Sequence, residues 1–304
     1  MIVVAGEALV DLVIDPVGGV VAALGGGPFN TARTLARLGS HVAFYGAISH
    51  DRFGSLLHQR LLSDGVDPAL TQRTELPTSL AAAELNESGS ATYRFYLENT
   101  SAPNLSPVVL APEVDAVHAG TLGFVVDPMA SVLESLILAA APKVLVMLDI
   151  NCRPKVVPDR ARYLERLHRV LTRADVVKVS TEDLEYLAFA TDLGDACAAI
   201  IKMGATVVLH TDGGEAVRVY TATEQVDVPV VAVTVADTIG AGDAFGGAFL
   251  AWWMQSGLTR SELTNVDLLA RAASNGVAVA GDTCTRVGAE PPFVADLDGI
   301  WQLL

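Results

Sequence analysis

The chain is short of positive charge: its 304 residues hold 20 lysines and arginines against 35 aspartates and glutamates, a net charge of −15. That balance argues against a general binder of nucleic acid or of an anionic membrane, since both need a basic surface. An anionic substrate would therefore need local amides or a metal. Cysteine is scarce as well. Cys152, Cys197 and Cys284 form no C-x-x-C pair and accompany no histidine cluster at zinc spacing, so they read as reduced core thiols of a cytoplasmic protein. No uncharged apolar run reaches the ~18 residues that suggest a membrane span. The opening MIVVAGEALVDLV lacks a basic region and a small-residue cleavage site, so no signal peptide is expected. Only Gly6 follows the first strand-like run where a dinucleotide fingerprint needs three glycines, which ranks a nicotinamide-dependent dehydrogenase low. The glycine loop LGGGPFN, Leu24–Asn30, has no GK[ST] after it and is not a Walker motif.

What is present is apolar content, 51% against 18% charged residues, which suits a well-packed globular protein. Strand-like runs at Ile2–Ala5, Val42–Ala47, Val114–Ala119, Val144–Leu148, Val176–Val179 and Val207–His210 alternate with helix-like segments. The helical candidates are Asn30–Leu38, Asp51–Ser63, Met129–Ala141, Arg160–Arg173, Thr181–Ala190 and Asp195–Met203. This alternation predicts an α/β fold, a doubly wound, mostly parallel sheet flanked by helices. One main domain, 1–304, is expected, for no repeat, low-complexity tract or linker interrupts it. Thr78–Leu85 and Ala91–Glu98, around the polar Asn86-Glu-Ser-Gly-Ser90, break the pattern and read as a hairpin, either a lid, a dimer surface or an edge extension. In its second arm Tyr93, Phe95 and Leu97 share one face, and Arg94, Tyr96 and Glu98 the other.

The stretch DTIGAGDAFGG, 237–247, sits between the apolar run Val230–Val235, suited to a buried strand, and the apolar segment Ala244–Met254, suited to a buried helix. A glycine-lined turn at a helix start presents free N–H groups to an anion. Asp243 beside such a site would repel phosphate, and makes sense there as the base for a hydroxyl that attacks it. A helix cap at Asp243 and Thr238, with Gly240 and Gly242 relieving strain, explains the turn equally well. The glycines before Asn30 suit close approach to a polyhydroxyl ligand, or a plain N-cap. Asp11 lies beyond the first strand, where parallel sheets gather ligands, and Asp149-Ile-Asn-Cys-Arg153 ends another strand; a surface acid and a solvated turn are the simpler readings.

GGGPFNTARTLARLG at 25–39 and DTIGAGDAFGGAF at 237–249, about 200 residues apart, together resemble the two signatures of the ribokinase-like, or PfkB, carbohydrate kinase family. The likeness covers nearly the whole chain. GEALVDLV, DINCRP, KVSTEDLEYL and TCTRVGAEPP make it most similar to the bacterial fructokinases within that family. The resemblance implies an ATP-dependent sugar kinase with Asp243 as base, the amides of Gly240, Ala241 and Gly242 as anion hole, and Arg153 near the transferring phosphate. It places Asp11, Gly26, Gly27, Asn30 and Asn151 on the sugar, and Thr211 and Gly213 along the nucleotide. It further implies Mg²⁺, with Ser180 and Asp183 standing where the family often has Asn-x-x-Glu, and K⁺ or another monovalent cation near Asp237. Ser-x-x-Asp is equally a helix-capping pattern. The family's glycine after the nucleotide threonine motif is here Ala216. By the same resemblance the hairpin at 78–98, with residues near 11–22 as a further contributor, becomes a lid and homodimer contact. Fructose is the implied acceptor, with 2-keto-3-deoxygluconate and ribose as competitors and a non-catalytic sugar-binding protein as the reading from another class. An acidic sugar would need one more cation, for which Arg94 is the candidate.

Overall fold

A computed structural model describes residues 1–86, 91–297 and 299–304. Strand β1 (Ile2–Ala5) leads into a hairpin, β2 (Leu9–Ile14) and β3 (Val20–Gly25), then α1 (Gly27–Arg37), β4 (Val42–Tyr45), β5 (Ala47–Ser49), α2 (Arg52–Ser63) and β6 (Gln72–Thr74). Strands β7 (Leu80–Leu85) and β8 (Ala91–Tyr96) precede β9 (Ala116–Gly120), α3 (Met129–Leu138), β10 (Leu145–Asp149), α4 (Arg160–Leu171) and β11 (Val176–Ser180). Next come α5 (Thr181–Leu187), α6 (Leu193–Met203), β12 (Val207–Thr211), β13 (Val217–Tyr220), β14 (Gln225–Val228), α7 (Ala241–Gln255) and α8 (Val266–Cys284).

The main sheet runs β14-β13-β12-β11-β10-β9-β1-β4 and is parallel from β12 to β4, with β13 and β14 added antiparallel. Its parallel strands are mostly apolar on both faces because both faces are covered, whereas β13 and β14 alternate. Ile2 and Val4 enter one core with Leu35, Leu57, Phe249 and Val277, whereas Val3 and Ala5 enter the other with Leu133, Leu167 and Ile200. Helices α1, α2, α7 and α8 therefore lie on one side, and α3, α4 and α6 on the other. The expected doubly wound α/β architecture is what forms. After β1 the chain goes out to β4 and returns to β9 on the opposite flank, so strand order reverses at β1. Ligands of such sheets gather beyond the carboxyl ends at that reversal.

Over those ends lies a second sheet, ordered β3-β2-β7-β8. The hairpin expected at 78–98 and the residues near 11–22 thus join through the parallel pairing of β2 with β7. The turn expected at 86–90 lies, from 87 onward, outside the described residues. Tyr93 stacks on Phe95 with ring centroids 6.4 Å apart, while Arg94 and Tyr96 are exposed on the outer face.

One strand expectation fails. Val230–Val235 is neither strand nor buried: Val231 is 73% and Val235 57% exposed. A β-branched run needs a neighbouring edge to pair with, and here the chain leaves the sheet after Pro229 and crosses to the end of α8. Ala236 N–H donates to the Cys284 carbonyl at 2.8 Å, and a side chain at Gly281 would touch Val233. The turn at 237–247 is consequently a loop-to-helix turn. Cys284 is only half-buried, against the core position expected; Cys152 and Cys197 are buried, and burial pushes both thiols up to about 12. No helix among the described residues is long and apolar enough to cross a membrane.

Candidate functional site

Between the two sheets lies a cleft of about 690 Å³. Of the residues expected at a site, Asp11, Gly26, Gly27, Asn30, Asn151, Arg153, Thr211, Gly240, Gly242 and Asp243 line it. Gly213, in a turn with φ 53°, Ala241, Asp183 and Asp237 do not. A larger cleft of about 1210 Å³, between β8 and residues 155–166, is lined by Arg94 but by none of the others.

Asp243 stands in the first turn of α7 and is 8% exposed. Its Oδ2 accepts from Asn30 Nδ2 at 2.9 Å, which brings the two signature segments into direct contact. Burial, followed by the charge of Asp149, pushes the Asp243 carboxyl up to about 6; the Asn30 hydrogen bond and the charges of Lys178 and Arg153 oppose them. Such a group is largely ionised at neutral pH yet basic enough to take a proton. Gly240 caps α7 at φ 79°, and a Cβ there would lie 2.6 Å from Ala289 Cβ, so both conformation and space demand glycine. Ala241 N–H closes the turn on the Thr238 carbonyl at 3.2 Å. Of the expected trio of anion-binding amides, Ala241 N–H thus bonds within the turn, and among the described residues the N–H groups of Gly240 and Gly242 have no backbone acceptor.

Positive charge comes from two directions. The Arg153 guanidinium bonds only backbone, the Cys152 carbonyl at 3.0 Å and that of Asn151 at 3.5 Å, and faces no carboxylate at ion-pair distance among the described residues. Lys178 was not foreseen. Its Nζ lies 2.9 and 3.0 Å from the Asp149 oxygens and would be 3.2 Å from a Cβ at Gly242. Burial works against this ammonium, but Asp149 more than offsets it and holds Lys178 above its usual range. The signal was a lysine inside the apolar strand VVKVS, where a charge must find a partner.

Glu7 was also missed. It is 1% exposed, its Oε2 has no partner among the described residues, and burial pushes its carboxyl up to about 8. Asp11 is raised to about 6 by burial, with Arg153 opposing. A Cβ at Gly25 would collide with Asp11 Oδ2, so that glycine makes room for the acid.

The metal expectations fare differently. Asp183 Oδ1 accepts from Cys152 N–H at 2.5 Å and Oδ2 from Ser180 N–H at 2.8 Å, while Ser180 caps Asp183 in return. This is the capping box of α5, and it commits the carboxylate to backbone. Asp237 likewise accepts from Ile239 and Gly288 N–H at 3.0 and 2.9 Å, clamping the glycine turn to the loop after α8. Among the described residues no cluster of three or more His, Cys, Asp or Glu could hold a metal ion. The described side chains therefore form no ready-made cage of direct magnesium ligands. Arg94 pairs with Glu84 at 2.9 Å on the outer face of the second sheet, away from this cleft.

Residues 1–295 match the family described as pfkB family carbohydrate kinase. A fructokinase of Rhizobium leguminosarum bv. trifolii is 33% identical over 275 residues, 88% of this chain and 84% of that protein. Among solved structures, a fructokinase with bound ATP from Xylella fastidiosa superposes with a TM-score of 0.87 at 29% identity, covering 95% of this chain and 93% of that one. A fructokinase from Vibrio cholerae O395 with fructose, ADP and calcium bound gives a TM-score of 0.87 at 25% identity, over 99% and 98% of the two chains.

Proposed function

The chain belongs to the pfkB family of carbohydrate kinases, and from that premise we propose that it transfers the γ-phosphoryl group of ATP to a primary hydroxyl of fructose. The observation that carries the proposal is the placement of a buried, ionisable Asp243 between the unengaged amides of a helix start and the amide of Asn30. Asp243 takes the proton of the acceptor hydroxyl, the oxygen lone pair bonds phosphorus, and the bond to the bridging oxygen of ADP breaks. Gly240 and Gly242 N–H, Arg153 and Lys178 meet the charge that builds on the phosphates. Magnesium enters as part of the nucleotide substrate. Asp11, Asn30 and Asn151 bind sugar hydroxyls, with Gly26 and Gly27 letting the sugar come close, and Thr211 with the Gly213 turn flanks the nucleotide.

The choice of a neutral acceptor rests on the named relatives. Glu7, Asp11 and Asp243 line the cleft beside Arg153, Lys155 and Lys178, while Arg94, the lid cation expected to serve an acidic sugar such as 2-keto-3-deoxygluconate, is turned away and paired with Glu84. ADP release from Mg-ATP across fructose, 2-keto-3-deoxygluconate, ribose, glucose and adenosine tests this. Fructose is expected to give at least ten-fold the kcat/KM of the acidic sugar; the reverse order would refute the acceptor, and binding of fructose without turnover would leave a sugar-binding protein on a kinase fold.

Catalysis by Asp243 also fixes a pH dependence. Only the ionised carboxylate accepts a proton, so kcat/KM for the sugar is expected to be level above about pH 7 and to fall about ten-fold per pH unit below the midpoint near 6. An acid limb centred near the ordinary carboxylate value of about 4 would contradict the buried base.

The lid's outer face, with Tyr96 and the exposed Val20, supports a homodimer, and three unpaired cysteines support a cytoplasmic setting. A single kinase domain, 1–304, carrying the β2, β3, β7 and β8 lid belongs to the same proposal.

A further inference from the structure

Two side chains in the cleft hold backbone conformations that L-residues avoid: Thr121 at φ 54° and Asn151 at φ 39°. For a β-branched residue a left-handed φ is a marked outlier, and such strain persists where the surrounding structure imposes it. Thr121 directly follows β9, at the sheet's order reversal, and is 6% exposed. What holds it is visible on both sides. Before it, a Cβ at Gly120 would collide with the Asp149 carbonyl oxygen; after it, the Phe124 carbonyl accepts from buried Arg166 at 3.2 Å.

The consequence of that conformation is a convergence of polar atoms. The place where a side chain at Gly27 would begin lies 2.6 Å from Thr121 Oγ1, 3.3 Å from Asp243 Oδ1 and 3.6 Å from Asn151 Nδ2. That position is a bond length from Gly27 Cα, too close for a ligand atom itself, but it sets Thr121 Oγ1 and Asp243 Oδ1 within about 6 Å of each other, close enough for one oxygen lying between them to hydrogen-bond both. Asn151 Nδ2 donates to Thr121 Oγ1 at 3.3 Å, and among the described residues this is the one hydrogen bond of the Thr121 side chain. A hydroxyl that accepts still has its own O–H to give. A sugar hydroxyl that donates to Asp243 has a lone pair with which to receive it.

We propose that Thr121 is an acceptor-binding residue whose hydroxyl donates to the sugar oxygen that Asp243 deprotonates, held between the two beside Gly27. This rests on the sugar-kinase reading above. In the reaction the acceptor's proton passes to Asp243 and its oxygen bonds phosphorus, while Thr121 keeps its own proton and fixes the oxygen's direction of attack. Asn151 positions Thr121 by donating to it.

The test compares wild type with Thr121→Val, Thr121→Ser and Thr121→Gly in steady-state kinetics with fructose and Mg-ATP, alongside Tm. The valine variant keeps shape and loses the hydroxyl: kcat/KM for fructose is expected to fall at least ten-fold with KM for ATP within three-fold. Serine is expected to restore most of the loss. Glycine removes hydroxyl and strain together, so it should lose sugar kcat/KM as valine does while Tm holds or rises; it carries the test should the valine variant fail to fold. A fall below ten-fold, a serine variant as impaired as valine, or a parallel rise in KM for ATP overturns the assignment. Wild type inert toward every sugar would instead sink the kinase reading, whatever the variants do.

Discussion

Asp243→Asn is expected to bind ATP as wild type does and to turn over 10²- to 10⁴-fold more slowly, the usual worth of a general base. The substitution is close to isosteric, so the argument turns on charge and protons. Asn30 Nδ2, which now donates to Asp243 Oδ2 at 2.9 Å, can still find an oxygen on an asparagine. The unengaged N–H groups of Gly240 and Gly242 are untouched, and the site loses one buried negative charge near the phosphates, so nucleotide affinity should hold or improve. What is gone is the group of the cleft that is ionised at neutral pH, basic enough near pH 6 to take a proton, and within reach of the place beside Gly27. Glu7 cannot replace it, because burial keeps its carboxyl protonated up to about pH 8. Calorimetric titration with ATP and steady-state rates on the same preparation separate the two effects. Activity within a few-fold of wild type would remove Asp243 from the role.

Much of this site is legible in the chain's own residues, for a physical reason. A turn that needs positive φ and close approach must spell itself in glycine, so Gly240, Gly242, Gly26 and Gly27 stand out locally, as do the polar residues set among them. The strands of the buried sheet announce themselves as unbroken apolar runs. The same rule misled at Val230–Val235, because apolar β-branched residues record a preference for extended backbone and not the presence of a partner edge. Lys178 and Glu7 escaped for the opposite reason. Each lies in a run that looks like core, and its meaning depends on a partner far along the chain: Asp149 is 29 residues before Lys178, and Asp243 reaches Glu7 only through the fold. Asp183 shows how two readings of one motif are separated only by geometry, since a capping box and a metal-water site use the same residue types. Thr121 carries no sequence signal at all; its importance lies in a dihedral angle.

Lys178→Met should be the most damaging single change outside the glycine turn, and its two effects can be parted. Lys178 and Asp149 are 5% and 2% exposed and bonded at 2.9 and 3.0 Å. Methionine removes the ammonium and leaves the Asp149 carboxylate buried without its counter-charge, which costs about 3–5 kcal/mol of folding stability. It also strips positive charge from beneath the turn that holds the phosphates and leaves only the Asn30 hydrogen bond and Arg153 to oppose the effect of Asp149 on the Asp243 carboxyl, so the acid limb of the rate profile should move upward from pH 6. Replacing the whole pair, Lys178→Met with Asp149→Leu, takes both charges out of the interior, and apolar side chains of similar volume commonly match a buried pair in stability. Denaturant unfolding should then return to near the wild-type midpoint, while kcat with fructose stays at least ten-fold down because no ammonium faces Gly242. A double variant that regains stability and activity together would show that the pair serves folding alone; one that regains stability without activity places the lysine's charge in the phosphoryl-transfer machinery.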